Sequence, residues 1–234
     1  MAESALFAGI ATSGLIVGYL LLQQLHPDRE YVGLVMALGA GLLMAVVAYS
    51  LVLESIEVSG LSWRVGLGVA LGATVYFFAD RALARRFGGE SGNAGIPLAL
   101  GAVLDGIPES LVIGISVALT GEASIPLVIA AFIANISESL AATDELEEGG
   151  ERPTMVIRIW LAIATASILA AMLGYGVVAG ISEAGGVAVN GFAGGAVLMV
   201  LANALIPEGY RFAGRAAGLL VVLGFALGFA LEHV

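Results

Sequence analysis

The stretch Asp105-Gly-Ile-Pro-Glu-Ser-Leu111 lies midway along one long apolar run, and Asn135-Ile-Ser-Glu-Ser-Leu140 lies midway along the next. Each stretch places a glutamate in a segment otherwise suited to hydrocarbon, with an acid or an amide three or four residues before it. A charged side chain at the centre of a membrane costs about 2.5–3.5 kcal/mol on insertion scales. A sequence that carries this cost twice, in matching positions, indicates a cation-binding site.

The composition predicts a polytopic membrane protein. The chain has 234 residues, of which 59% are hydrophobic and 12% are charged, whereas a soluble domain carries about 25% charged residues. The apolar residues form runs of about 20, the length of a transmembrane helix. We therefore expect an all-α fold in which residues 1–234 form a single transmembrane domain. The eight predicted spans are residues 5–25, 31–53, 61–82, 96–119, 125–142, 155–181, 187–207 and 212–234.

The basic residues predict the orientation of the chain. All nine are arginine, and only Arg64 falls outside the loops on one side of the predicted membrane. Cytoplasmic loops are the ones enriched in basic residues, and an even number of spans puts both termini on the same side. Both termini are thus expected to be extracytoplasmic. The absence of lysine and the net charge of −10 fit a prokaryotic protein, and hence its inner membrane.

The fourth span carries two acids on one helical face. Asp105 and Glu109 are four residues apart, a spacing that makes them neighbours on a helix surface. Pro108 has no N–H to donate to the carbonyl of Leu104 and tends to kink the helix. Three oxygen donors are therefore expected within one turn.

The fifth span carries a matching pair, Asn135 and Glu138, at the same predicted depth. Since only about five residues link the two spans, they are expected to be antiparallel neighbours with their polar faces opposed. Carboxylate and amide oxygens suit hard divalent cations. The predicted metal ligands are Asp105, Glu109, Asn135 and Glu138.

Further polar residues in or near the spans have weaker assignments. Asn203 could complete the cage or only hydrogen-bond across helices, and Glu208 could serve ion release or only cap a helix end. Ser50 and Glu54, near the outer end of the second span, are possible entry residues. The acidic run Asp144–Glu151 could concentrate cations at a pore mouth or form a solvated turn.

The chain resembles the ZIP family of divalent-metal transporters from the second span onward. Asp105-Gly-Ile-Pro-Glu-Ser is similar to the family's helix-four motif, His-Asn-x-Pro-Glu-Gly, and Ala134-Asn-Ile-Ser-Glu-Ser is similar to its helix-five partner. The segment from Gly194 to Glu208 resembles the helix-seven signature. Gly39-Ala-Gly-Leu-Leu-Met, with Ser50 and Glu54, resembles helix two.

The resemblance implies a carrier in which the bundle that holds helices four and five moves against a scaffold that includes helices two and seven. It also implies a homodimer. Asp105 replaces the family's histidine, while Ala134 and Ala204 stand where the family often has ligands, so the site is built from oxygen donors. Imidazole suits zinc and iron, whereas carboxylate suits manganese. We therefore rank manganese and iron beside zinc as the transported ion.

Other functions remain open at the level of sequence. A proton-coupled carrier of another small solute would use the same buried carboxylates. A membrane hydrolase is disfavoured, because the chain has neither a His-Glu-x-x-His motif nor a nucleophile elbow, and we expect no enzymatic activity. The expected partners are the divalent ion and the lipid bilayer, with no nucleic acid and no resident cofactor. The chain has no ATP-binding loop, so transport would follow a gradient or couple to another ion.

Overall fold

The computed structural model describes residues 1–59, 62–87, 95–181 and 183–232, which form helices and turns and no strand. The side chains of a few residues at helix ends, Glu54 among them, lie outside this description. Within the described ranges the chain forms eight helical segments, numbered in chain order: α1 Ala2–Leu25, α2 Arg29–Val46, α3 Ser62–Phe87, α4 Gly95–Thr120, α5 Ile125–Glu148, α6 Pro153–Val178, α7 Glu183–Val200 and α8 Ala216–Leu231. The second segment, α2, continues through a π-helical part Val47–Leu53 and a last part Glu54–Ser59. The seventh, α7, continues through a π-helical turn Leu201–Leu205 and a last part Ile206–Ala213.

Seven of the described segments are long and apolar enough to cross a membrane, and α8 is a shorter apolar helix of 16 residues. The prediction of an all-helical protein with several membrane-spanning segments is therefore confirmed. The helices lie close to the predicted runs because runs of about 20 apolar residues satisfy their backbone polar groups only as helices in lipid.

Several helices extend beyond the predicted spans, and the extensions of the fifth and the seventh bear on the site. The fifth continues to Glu148, so most of the acidic run is helical rather than a turn, and the helix ends only at the pair Gly149-Gly150. The seventh continues through Pro207 to Ala213. Since Pro207 cannot donate to the carbonyl of Asn203, the regular hydrogen-bond ladder is interrupted there, and a π-helical turn covers this position. π-Helical turns are frequent at functional sites.

The helices divide into two groups of four. The most extensive pairings are α1 with α5 and α4 with α6 in one group, and α2 with α8 and α3 with α7 in the other. We call α1, α4, α5 and α6 the first bundle, and α2, α3, α7 and α8 the second bundle. The main contacts between the bundles are those of α2 with α5 and of α4 with α7.

Glycines let the paired helices approach closely. A Cβ added to Gly68 of α3 would lie 2.7 Å from the carbonyl oxygen of Ala188 on α7, and one on Gly174 of α6 would lie 2.5 Å from that of Leu111 on α4. Small residues at such contacts allow backbone-to-backbone packing, which drives helix association in lipid. This close packing explains much of the high glycine content of the chain.

Candidate cation-binding site

An acidic cavity lies between the two bundles. Its volume is about 250 Å³, and α4, α5 and α7 line it. On α5, four lining residues share one helical face by their spacing of three and four, and small side chains separate the acids and leave the space open. The four acids that line the cavity are Asp105, Glu138, Glu145 and Glu208.

Asp105 of α4 lies at the deep end of this cavity and is only 8% exposed. The phenol of Tyr76, on α3, donates a hydrogen bond to Asp105 Oδ1. Tyr76 is itself 6% exposed, so the bond lies in the protein interior, where a hydrogen bond is stronger than in water. One oxygen of the carboxylate is thus engaged by a neutral donor from the second bundle.

Glu138 and Glu109 complete an acidic cluster around Asp105. Glu138 lies on the cavity wall, and Glu109 is buried one turn further along α4. Because Asp105 and Glu138 line the same cavity, the structure brings together carboxylates from the fourth and fifth spans.

Asn135 occupies a different environment from Glu138. Its Nδ2 donates to the carbonyl oxygens of Ala131 at 2.8 Å and of Ala11, on α1, at 3.3 Å. Residues three apart on a helix are separated by about 60° around its axis, which here is enough to turn Asn135 toward α1 while Glu138 faces the cavity. The structure does not bring Asn135 to the cavity wall, and its role as a ligand stays a prediction.

The remaining predicted residues lie apart from the cluster, except Glu208. Asn203 is exposed on α7 and is not among the residues that line the acidic cavity. Glu208, one turn beyond Ala204 on the cavity wall, lies 3.1 Å from the Arg211 guanidinium. Ser50 donates to Glu232 Oε1 at 2.6 Å, at the far end of the molecule. The Glu54 side chain lies outside the described residues.

Tyr76 is a functional candidate that the sequence reasoning missed, and Glu145 is one that it included only as part of the acidic run Asp144–Glu151. Glu145 lies seven residues after Glu138 on the same face of α5, and its carboxylate is 2.5 Å from Arg211. Its signal was present in the sequence, because extending the helix past Ala142 continues the acidic face. Tyr76 gave a weaker signal: it lies mid-span, whereas membrane tyrosines concentrate at the interfaces.

The acids do not form a closed metal shell. Among the described residues, no group of three or more histidine, cysteine or acidic side chains is arranged to hold a metal ion. A cation in the cavity would bind to one or two carboxylates and keep part of its hydration shell, as Mg²⁺ does in many sites.

A second cavity lies at the opposite end of the molecule. Its volume is about 510 Å³, and it reaches Ser116 on α4 and Leu127 on α5. Since an α-helix rises 1.5 Å per residue, Ser116 is about 16 Å from Asp105 along α4, and Leu127 is about 16 Å from Glu138 along α5. Buried apolar residues such as Val112 fill this interval. The acidic cavity and this larger cavity are therefore separate in the described part of the chain.

Comparison with known proteins gives no relative from which to infer a function: no family model and no curated protein matches this chain.

Proposed function

We propose that this chain carries divalent metal ions across the inner membrane of a prokaryotic cell, as a divergent member of the ZIP family, with zinc, iron or manganese as its substrate. The observation that carries the proposal is the convergence of Asp105 and Glu138, from two helices, on one cavity between the bundles. Buried acids inside membrane spans characteristically mark ion and proton pathways. Their all-oxygen donor set places manganese and iron beside zinc.

The two cavities supply the ends of a path. In the orientation that the arginines predict, with both termini extracytoplasmic, the acidic cavity opens to the cytoplasm and the larger cavity, with Ser50 and Glu232, faces outward. The conformation is then open to the inside. Asp105 and Glu138 hold the ion, Glu109 adds negative charge behind them, and Glu208 with Glu145 receives the ion on release.

The grouping of the helices supports an alternating-access mechanism. The first bundle holds Asp105, Glu109 and Glu138, and the second bundle contributes Glu208 and both π-helical turns. Secondary transporters commonly move one bundle against another around a midplane site. Movement of the first bundle along the α2–α5 and α4–α7 contacts would carry the acids toward the outer cavity. The homodimer that the resemblance implies is part of the same proposal.

The test is uptake by the purified chain in liposomes. We expect saturable uptake of Mn²⁺, Fe²⁺ or Zn²⁺, each competing with the others, and none in empty liposomes. Uptake should not require ATP. Absence of divalent-ion uptake, together with proton movement that metal neither drives nor saturates, would instead support a proton-coupled carrier of another solute. The observation that favours this alternative is the Tyr76–Asp105 hydrogen bond, because a carboxyl group that binds and releases protons in a membrane also has hydrogen-bond partners inside the protein.

A further inference from the structure

Tyr76 is buried, whereas most of the residues described on its helix are not. Only 17% of the α3 span is buried, compared with 61% of the α4 span, so α3 turns most of its surface outward. Its buried residues form one stripe, with spacings of three, four and four, made of Val65, Gly68, Gly72 and Tyr76. Tyr76 is the last residue of this stripe and is the one that reaches the acidic cluster.

The glycines of the stripe bring Tyr76 within reach of Asp105. A Cβ on Gly72 would overlap the carbonyl of Phe192 on α7, and Gly68 makes a similar approach one turn earlier. Since α3 therefore lies against the α7 backbone, the phenol one turn after Gly72 extends past α7 to α4. There its hydroxyl donates to Asp105 Oδ1.

We propose that Tyr76 is a positioning residue for the substrate ion. Its hydroxyl holds Asp105 Oδ1, so that the carboxylate binds the metal ion through its other oxygen alone, in a monodentate way. This inference rests on the proposed function. A phenol donor brings no charge, so the carboxylate keeps its attraction for a cation. Partners of this kind orient metal-ligating carboxylates, and their loss typically weakens metal binding by about 10- to 100-fold.

The position of the bond gives it a second consequence. Tyr76 belongs to the second bundle and Asp105 to the first. The carboxylate is therefore oriented in the state described here, in which the acidic cavity is open, and it loses its partner when the first bundle moves. Metal geometry at Asp105 would then differ between the two ends of the transport cycle.

The test compares Tyr76→Phe with Tyr175→Phe in the purified full-length chain. Both changes remove one hydroxyl from a tyrosine in a span, but Tyr175, on α6, is not among the residues that line the acidic cavity. Calorimetric titration with Zn²⁺ and with Ca²⁺ gives the affinity for each ion. Thermal unfolding without metal reports separately on the fold. Zn²⁺ prefers four ligands in tetrahedral geometry, whereas Ca²⁺ accepts a bidentate carboxylate and six to eight oxygens.

For Tyr76→Phe we expect Zn²⁺ affinity to fall about tenfold and Ca²⁺ affinity to fall much less, because the freed carboxylate can chelate the larger ion. Tyr175→Phe should change neither affinity by more than about twofold. Unchanged affinities, or equal losses for both ions that parallel a lower unfolding temperature, would overturn the positioning role. A wild-type chain that binds none of the divalent ions would instead remove the proposed function itself.

Discussion

The two polar faces of α5 differ in the hydrogen-bond partners of their side chains. The face toward α1 carries Asn135, Ser139 and Thr143 at intervals of four residues, and each has a hydrogen bond to another helix. Asn135 donates to the Ala11 carbonyl of α1 in addition to Ala131 of its own helix. Ser139 donates to the Leu15 carbonyl of α1 at 2.6 Å, and Thr143 accepts from the Trp160 indole of α6 at 2.9 Å. The face toward the cavity carries Glu138 and Glu145.

The deeper part of the cavity face, at Glu138, lacks such hydrogen bonds to other helices. Among the hydrogen bonds that the structure describes, none involves the Glu138 side chain, whereas Glu145 at the rim pairs with Arg211. Glu138 is partly exposed and lines the cavity, so its carboxylate is accessible from there. One face of α5 thus bonds to other helices of the first bundle, whereas the other lines the cavity in which we propose that a cation binds.

The largest effect is expected from Glu138→Gln. The amide keeps the size of the side chain but removes the charge that balances a divalent ion, so metal binding and uptake should fall by about 100-fold or more. Helix packing should persist, because no described hydrogen bond is lost. Metal titration and liposome uptake measure the effect. Glu148→Gln is the matched control, since its side chain is 65% exposed at the end of the same helix, and it should leave affinity within about twofold. Full uptake by Glu138→Gln would remove this acid from the pathway.

An intermediate effect, on stability rather than transport, is expected from Ser139→Ala. The change removes the hydrogen bond that joins α5 to the Leu15 carbonyl of α1. Interhelical hydrogen bonds in membranes contribute about 0.6 kcal/mol on average, with a maximum near 1.7. The unfolding temperature in detergent should fall, while the metal affinity of the folded protein stays the same.

Ser137→Ala is the matched control for this change. Its hydroxyl donates at 2.8 Å to Ala134 of its own helix, so its loss breaks no contact between helices and should cost less. If Ser139→Ala weakened metal binding without changing stability, the separation of the two faces of α5 would be wrong.

The same comparison marks the limit of what the sequence could predict. Apolar run length fixes the helices, because the bilayer sets a minimum length, and the acids in the two motifs identify the cavity wall. The rotation of each helix about its axis is set by packing, which hydropathy does not encode. Asn135 was therefore grouped with Glu138 although it turns toward α1, and Asn203 was expected inward although α7 exposes it.

The sequence does not identify Tyr76 and does not assign Glu145 to the cavity wall, for related reasons. The contribution of Tyr76 depends on how closely α3 approaches α7, a distance set by glycines on both helices. Glu145 depends on where α5 ends. Charged residues alone suggest a turn after Ala142. However, the stretch from there to Glu148 has no glycine or proline, and Glu145 to Glu148 are good helix formers, so helix propensity favours continuation.

The smallest effect is expected from Arg211→Gln, which sharpens the comparison at the rim of the cavity. Arg211 lies 2.5 Å from Glu145 and 3.1 Å from Glu208, both on the cavity wall. Removing its charge makes the cavity more negative, so the affinity for a divalent cation should rise, but only by about two- to threefold, because the guanidinium is exposed and exposed ion pairs contribute little. The increase should shrink at high salt, as screening predicts.

Arg29→Gln is the control for this prediction, because it removes the same charge at the same end of the molecule. Arg29 pairs with Asp144 at 3.0 Å and Glu148 at 2.6 Å, and neither of these acids is among the residues that line the cavity. Metal titration at low and high salt should therefore find a change for Arg211→Gln and almost none for Arg29→Gln. Equal changes in the two variants would mean that the cation senses the overall charge of this end of the protein rather than the acids of the cavity face.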